Sequence, residues 1–467
     1  MESILLHPFK DSEFKWSSDS VCRIPENSSP CDRPTPRFGH TAVCYENDMI
    51  IFGGKDEDGF LQDLFCYNIP TRQWVSECCV EGDPVAGCPP ARSGHTAVQY
   101  GEHMYVLSGG IREDGLCADD FWRLNLKTLK WEKLCDRLPF SPRRGHTSHV
   151  LLAEDTGGRT ENDMMVTFGG LATVNPCKPR SADPPVQAGY VGATPFVSIP
   201  SNDILLYKFK CQKWCHLTTC GDLPPPRHFH VSQLVEKSAM LLVFGGLTNP
   251  PDVPPPDEEE ETPEERARRH GVLNDFYMLN LATGMWRRVE AVTPVRPSPR
   301  MGCACVYKNG RFAVFGGGSC SFSMEGYEFD CARSTWRPFR IQCEPQCSRP
   351  TVVYACNRLL FFGGLMANGE LSPLLLELPM KPLSLQNLCM LTLKREIWMQ
   401  QWNTKPEPKC GPCDGNRCGS CRMLSPTSPP AVVSPGSRPF SLTPSLSRPV
   451  SVPRITPHIN NVSPPRA

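Results

Sequence analysis

The strongest constraint on this chain is that it repeats itself, because a period of tens of residues calls for a stack or ring of equivalent units and not for one layered core. A short apolar run ending in a glycine pair recurs as MIIFGG (Gly53, Gly54), MYVLSGG (Gly109, Gly110), MMVTFGG (Gly169, Gly170), LLVFGG (Gly245, Gly246), FAVFGG (Gly316, Gly317) and LLFFGG (Gly363, Gly364). All but the last pair are followed by an acidic residue within an alternating apolar stretch, as in QDLFCYNI or NDFYMLNL, and then by a tryptophan: Trp74, Trp131, Trp214, Trp286 and Trp336. After each tryptophan come a Pro/Arg-rich turn and a further apolar run, as in ARSGHTAVQY and PRRGHTSHVL. Alternation between turn residues describes four short antiparallel strands per unit, so the fold class is all-β.

The order Gly-Gly, tryptophan, Arg-x-Gly-His resembles the kelch repeat over about residues 12–380. That resemblance implies a β-propeller whose blades are the four-stranded sheets. The glycine pair lets its strand, expected to be the innermost of each blade, turn with positive φ. Tryptophan is expected to fill the wedge between blades. The sixth unit lacks a second half, whereas EFKWSS (Trp16) and PRFGHTAVCY precede the first glycine pair. The two halves complement each other, so residues of about 12–46 are expected to supply the outer two strands of the last blade and leave no open edge. A six-bladed propeller closed by its N-terminal segment follows, with a short α-helix and a disordered tail after it. The intervals after Gly170 and Gly246 are the longest, and their Pro-rich and acidic-to-basic contents read as flexible loops on one face of the disc. The acidic run at 257–261 reads as a solvated stretch.

Composition limits the partners. Lys+Arg and Asp+Glu are both 49, so the chain has no net charge to bind phosphate backbones, and nucleic acid is not expected. Apolar runs are too short to span a bilayer and charges interrupt the first residues, so no membrane association is expected. Without a secretory signal, 25 cysteines read as reduced thiols of the cytoplasm or nucleus. No nucleophile elbow, phosphate loop or helical His pair is present, and the repeated His40, His95, His146 and His230 read as structural. Cys303 stands at that place in the fifth unit and Thr351 near it in the sixth, against a shared catalytic role. The chain reads as a non-enzyme without a cofactor.

Arginines suggest a binding role. Arg37, Arg92, Arg144, Arg227, Arg300 and Arg349 recur at one repeat position, which symmetry would set in a ring around the axis. Kelch receptors similar to this chain use arginines there, and in the loop after the glycine pair, to hold acidic or C-terminal carboxylate motifs of protein substrates. Arginine suits that task because its fork matches a carboxylate. The post-glycine loops add Lys55 and Arg112, with Leu171, Leu247 and Leu365 opening the others. For each arginine, a structural tie to backbone carbonyls is the competing reading.

Beyond the last strand, KPLSLQNLCMLTLKREIWMQQW carries a Ser384 N-cap and apolar residues at helical spacing, which predicts a helix over 382–402. Ser384, Leu385, Cys389 and Leu393 resemble the box by which substrate receptors of cullin ubiquitin ligases bind Elongin B and Elongin C. The resemblance implies that Leu385 enters an Elongin C pocket, with Leu388, Cys389 and Leu393 beside it. The competing reading is a helix packed on the propeller, and no cullin-selecting segment follows. Cys410, Cys413, Cys418 and Cys421 then have the donor chemistry for zinc, but their pairs are closer than in usual four-cysteine sites, so a reduced linker is the first reading. Residues 403–467, Cys-rich then Ser/Pro-rich, read as disordered. The function expected is recognition of protein substrates for an Elongin B/C and cullin ligase; the alternative is a kelch scaffold with no ligase.

Overall fold

The structure, a computed structural model, describes residues 22–23, 33–77, 87–153, 162–175, 180, 196–235, 237–250, 262–318, 325–340, 347–366 and 368–379. The alternating segments pair as antiparallel hairpins, and the hairpins assemble into six blades. Blade 1 runs Thr41–Tyr45, Asp48–Lys55, Phe60–Asn68, Gln73–Glu77 from its inner to its outer strand. Blade 2 repeats this with Thr96–Tyr100, His103–Leu107, Phe121–Asn125 and Lys130–Cys135. The inner strands of the next four blades are Thr147–Leu151, Val231–Leu234, Ala304–Lys308 and Thr351–Ala355. Consecutive inner strands lie side by side, and Thr351–Ala355 also flanks Thr41–Tyr45, so the ring is closed.

Two expectations change. The innermost strand is the one after Arg-x-Gly-His, and the glycine-pair strand lies second. Residues such as Thr-Ala-Val suit the crowded axis, while Asp48–Lys55, with six consecutive buried residues, is covered on both sides. The N-terminal segment also contributes differently. Cys22–Arg23 pairs with Leu375–Pro379 as the outer strand of blade 6, Cys22 opposite Glu377. Thr41–Tyr45 instead pairs with the glycine-pair strand of blade 1, Thr41 opposite Phe52. Among the described residues, one strand and not two therefore comes from 12–46 to the last blade. Trp16 lies outside the described residues.

The core is a series of wedges between blades. Trp74 meets Phe362 at 5.5 Å, Trp131 meets Phe52 at 5.0 Å, Trp286 meets Phe168 at 5.2 Å and Trp336 meets Phe244 at 5.4 Å. In each case the tryptophan of one blade sits against the aromatic residue before the glycine pair of the preceding blade. Leu107 holds that aromatic position in blade 2, and Trp214 packs instead on Phe121 and Phe140. Among the described residues blade 6 has no tryptophan, and Phe361 packs in its wedge against Phe315 at 5.0 Å.

The glycine pairs, the Arg-x-Gly-His turns and both long insertions share one face. The fourth interval is not simply a loop: it ends in a helix, Pro263–Arg269, with Thr262 and Glu265 forming a reciprocal capping box. Helix residue Ala267 is fully buried. The third interval extends its flanking strands, Met164–Val174 and Val197–Lys208, outward from the face. From within it Arg180 pairs with Asp119 and donates to the Leu138 carbonyl of blade 2. The helix expected over 382–402, with Leu385, Leu388, Cys389 and Leu393, lies outside the described residues, as do Cys410, Cys413, Cys418 and Cys421.

Candidate functional site

The repeated arginines are buried ties, not ligand donors. Arg37, Arg92, Arg143 and Arg227 are fully buried and Arg300 is 1% exposed. Arg92 forks onto both Asp120 oxygens at 2.7 and 2.8 Å and donates to the Ser108 carbonyl. Arg143 does the same to Asp203 and the Gly169 carbonyl, and Arg227 to Asp275 and the Gly245 carbonyl. Arg37 holds Asp63 and the Gly53 carbonyl. Arg300 donates to the Gly316 carbonyl and lies over the Tyr327 ring. In four of the five the guanidinium thus joins its own turn, the first residue of the left-handed pair of its blade and an acid of the third strand or its entry; Arg300 makes the first two of these ties. A bidentate ion pair offsets the cost of desolvating the charge. The expectation that Arg37, Arg92, Arg227 and Arg300 grip substrate is corrected on this ground. The acidic residues after the glycine pairs were visible in the sequence, but their partners were not.

The backbone also resets two registers. The Arg92 bond to Ser108, and the positive φ of Ser108 (50°) and Gly109 (103°), place Ser108–Gly109 where other blades have their glycine pair. In blade 3 the repeat position belongs to Arg143, so Arg144 is one residue further on. Arg349 is displaced too. A chain of bonds runs around the axis from blade to blade, from Gly94 N to Gly39 O, Gly145 N to Gly94 O, Phe229 N to Gly145 O, Gly302 N to Phe229 O and Arg349 N to Gly302 O. Arg349 therefore occupies the glycine position of blade 6, and Phe229 that of blade 4.

These exceptions shape the mouth. Phe229 and Arg349 have φ of 52° and 58°, a region natural to the glycines they replace and strained for other residues. The Arg349 guanidinium lies 4.3 Å from the Phe229 ring centre and 5.5 Å from that of Phe38, in blade 1. Arg144 reaches over the post-glycine loop of blade 2, where a Cβ added to Gly115 would meet its Nη atoms at 3.3 Å. His228, 7% exposed, has no partner at Nδ1. Burial, then the charges of Arg144 and Arg349, push its pKa down to about 4. Burial, then Arg144, lowers the pKa of Arg349. Among the described residues neither Arg144 nor Arg349 has a carboxylate partner. Lys55 is paired with Glu113 and Arg112 with Asp114, both at 2.7 Å. Of the seven arginines named from sequence, Arg144 and Arg349 are the two that stand half-buried at the mouth with no carboxylate partner among the described residues. His228, Phe229 and Phe38 were missed, although RHFH breaks the Arg-x-Gly-His pattern at Phe229.

The repeated histidines are interblade struts. His40 Nε2 is 2.8 Å from Thr351 Oγ1, His95 is paired with Thr41, His146 with Thr96 and His230 with Thr147. Among the described residues no cluster of three His, Cys, Asp or Glu could hold a metal, and no helix is long and apolar enough to cross a membrane.

A profile of the KLHDC2/KLHL20/DRC7 kelch-repeats domain matches residues 11–178 and 188–411. The chain belongs to this kelch family. Kelch domain-containing protein 3 of Homo sapiens is 24% identical over 336 residues, covering 71% of this chain and 74% of that protein. Host cell factor 1 of Homo sapiens is 26% identical over 299 residues, 61% of this chain but 12% of that much longer protein. A solved structure entitled "Structure of YjhT" superposes with a TM-score of 0.50 over 74% of this chain and 96% of its own, at 15% identity, which supports the fold alone. A kelch propeller is suited to protein–protein interaction.

Proposed function

We propose that this kelch protein selects substrates for an Elongin B/C and cullin ubiquitin ligase. The mouth would receive a peptide of the substrate, and residues 382–402 would recruit the adaptor through Leu385, with Leu388, Cys389 and Leu393 beside it. The observation carrying this reading is positional: Ser384-Leu385-x-x-x-Cys389-x-x-x-Leu393 comes directly after the last propeller strand, Leu375–Pro379. A closed ring has no need of another element after its final blade. The chain makes and breaks no bonds itself; it brings an acceptor to the ligase.

Co-purification tests it. Wild type should retain Elongin C, and Leu385→Ala combined with Cys389→Ala should lose it while the thermal transition moves by only a few degrees. Unchanged Elongin C recovery would end the ligase reading and leave a kelch scaffold. A collapse of the transition would show the segment packing on its own propeller.

A further inference from the structure

The ion pairs of the mouth leave a specific surplus. Lys55 and Arg112 are balanced by Glu113 and Asp114, and Arg37, Arg92, Arg143 and Arg227 by Asp63, Asp120, Asp203 and Asp275, while the buried Arg300 donates to the Ser298 and Gly316 carbonyls. Arg144 and Arg349 remain, both half-buried and without a described carboxylate partner, and Phe229 links them: its ring lies against Gly145, the neighbour of Arg144, where an added Cβ would meet it at 2.8 Å, and it carries the Arg349 guanidinium at 4.3 Å. Two positive charges held near each other in a partly desolvated place repel, and an anion between them removes that cost. A single carboxylate would balance one guanidinium. A phosphate monoester carries about −1.5 to −2 charges near pH 7 and three acceptor oxygens, which matches the pair in charge and in the number of donors offered.

The geometry around Arg349 fits a preformed receptor. Its guanidinium lies within cation–π distance of both the Phe229 and Phe38 rings, and its N–H groups meet no described carboxylate. The side chain reaches this place only because Arg349 takes the left-handed conformation that Gly39, Gly94, Gly145 and Gly302 have in other blades. His228, the neighbour of Phe229, has a buried Nδ1 with no partner.

We infer that Arg144 and Arg349 together form a receptor for a dianionic side chain, a phosphorylated serine or threonine in a partner peptide. The inference rests on the reading of the mouth as the peptide-binding face and names what that face selects.

Capture from degenerate peptide libraries on the immobilised full chain tests it. Three libraries, acetylated and amidated at their ends, would carry a fixed central phosphoserine, serine or Asp-Asp, and a fourth would carry serine with a free terminal carboxylate. The phosphoserine library should be enriched at least about tenfold over the others. Two substitutions copy residues that other blades carry at the same positions, Arg144→Ser after Ser93 and Arg349→Gly after Gly302. Each should weaken the selected phosphopeptides about tenfold or more by fluorescence polarisation. Lys127→Gln, in a turn on the opposite face, should leave them unchanged. Equal enrichment by Asp-Asp, or affinity that survives both substitutions, overturns the dianion receptor. Binders found only in the free-carboxylate library overturn it while leaving the mouth as the peptide site. Failure of all four libraries removes the mouth reading as well.

Discussion

Acid should loosen this ring in a window set by its buried histidines. Burial, then the neighbouring arginine, holds the pKa of His40 and of His146 at about 3, against 6.5 for an exposed imidazole. Burial holds His149 at about 4 and His95 and His230 well below 6.5. For a pKa depressed on folding, stability is whole above the unfolded value and drains as pH falls toward the folded one, because the unfolded chain takes up protons that the native chain refuses. At about pH 5 each such imidazole removes about 2 kcal/mol, so His40 and His146 alone remove about 4 of the 5–15 kcal/mol typical of a domain. Asp203, held below its ordinary pKa by Arg143, titrates at more acidic pH, which keeps the window clear of this ion pair. Thermal unfolding measured by circular dichroism between about pH 7.5 and 5 should show a steep fall in midpoint. His146→Cys copies Cys303, whose thiol burial pushes up to about 12, and should reduce the slope by close to one proton. A midpoint that stays flat, or a slope indifferent to His146→Cys, would refute the buried neutral imidazoles.

Two further substitutions test the wedges and the ties. Trp286→Ala, removing a side chain with no solvent exposure that packs on Phe168, should cost about 3–5 kcal/mol in urea unfolding, and a loss under about 1 would deny the wedge its role. Arg227→Met should cost about 3–5 kcal/mol because Asp275 is left without its counter-ion, and the double change with Asp275→Leu should regain more than half. A double variant as unstable as the single one would show that the lost bond to the Gly245 carbonyl outweighs the ion pair.

The propeller was legible because its signals are periodic: the glycine pairs return in every blade, the tryptophans in five and the histidines in four, and each kind of return has a physical job. Registers were harder where letters and backbone part company. MYVLSGG contains two adjacent glycines, yet Ser108 adopts the left-handed conformation with the first of them, so matching Gly-Gly shifts the repeat by one residue. The doubled arginine in PRRGH makes the same error available, and only the fork from Arg143 to Asp203 separates the tie from its neighbour. Inner and second strands could not be ordered from the sequence, since both are short, apolar and bounded by turns; their ranking depends on which one meets its equivalents at the axis.

The same distinction indicates where function lies in a repeated fold. A residue that returns in most blades answers a need common to most blades, and the need here is structural: the arginine with its aspartate, the histidine with its threonine, the glycine turning across the axis. A ligand breaks that symmetry, since it touches some blades and not others. The departures are therefore the informative positions. Phe229 and Arg349 replace glycine despite the backbone strain, and Arg144 puts a charge where Phe38, Ser93 and Met301 stand. All three converge on the same face. Had selection acted on stability alone, glycine would serve at both strained positions, as it does at Gly39, Gly94, Gly145 and Gly302. Arg349→Gly should accordingly leave the thermal midpoint unchanged or raised, by relief of about 1–3 kcal/mol of strain set against the lost stacking on Phe229. A clear drop in midpoint would mean that the arginine is there to hold the ring together and not to receive a partner.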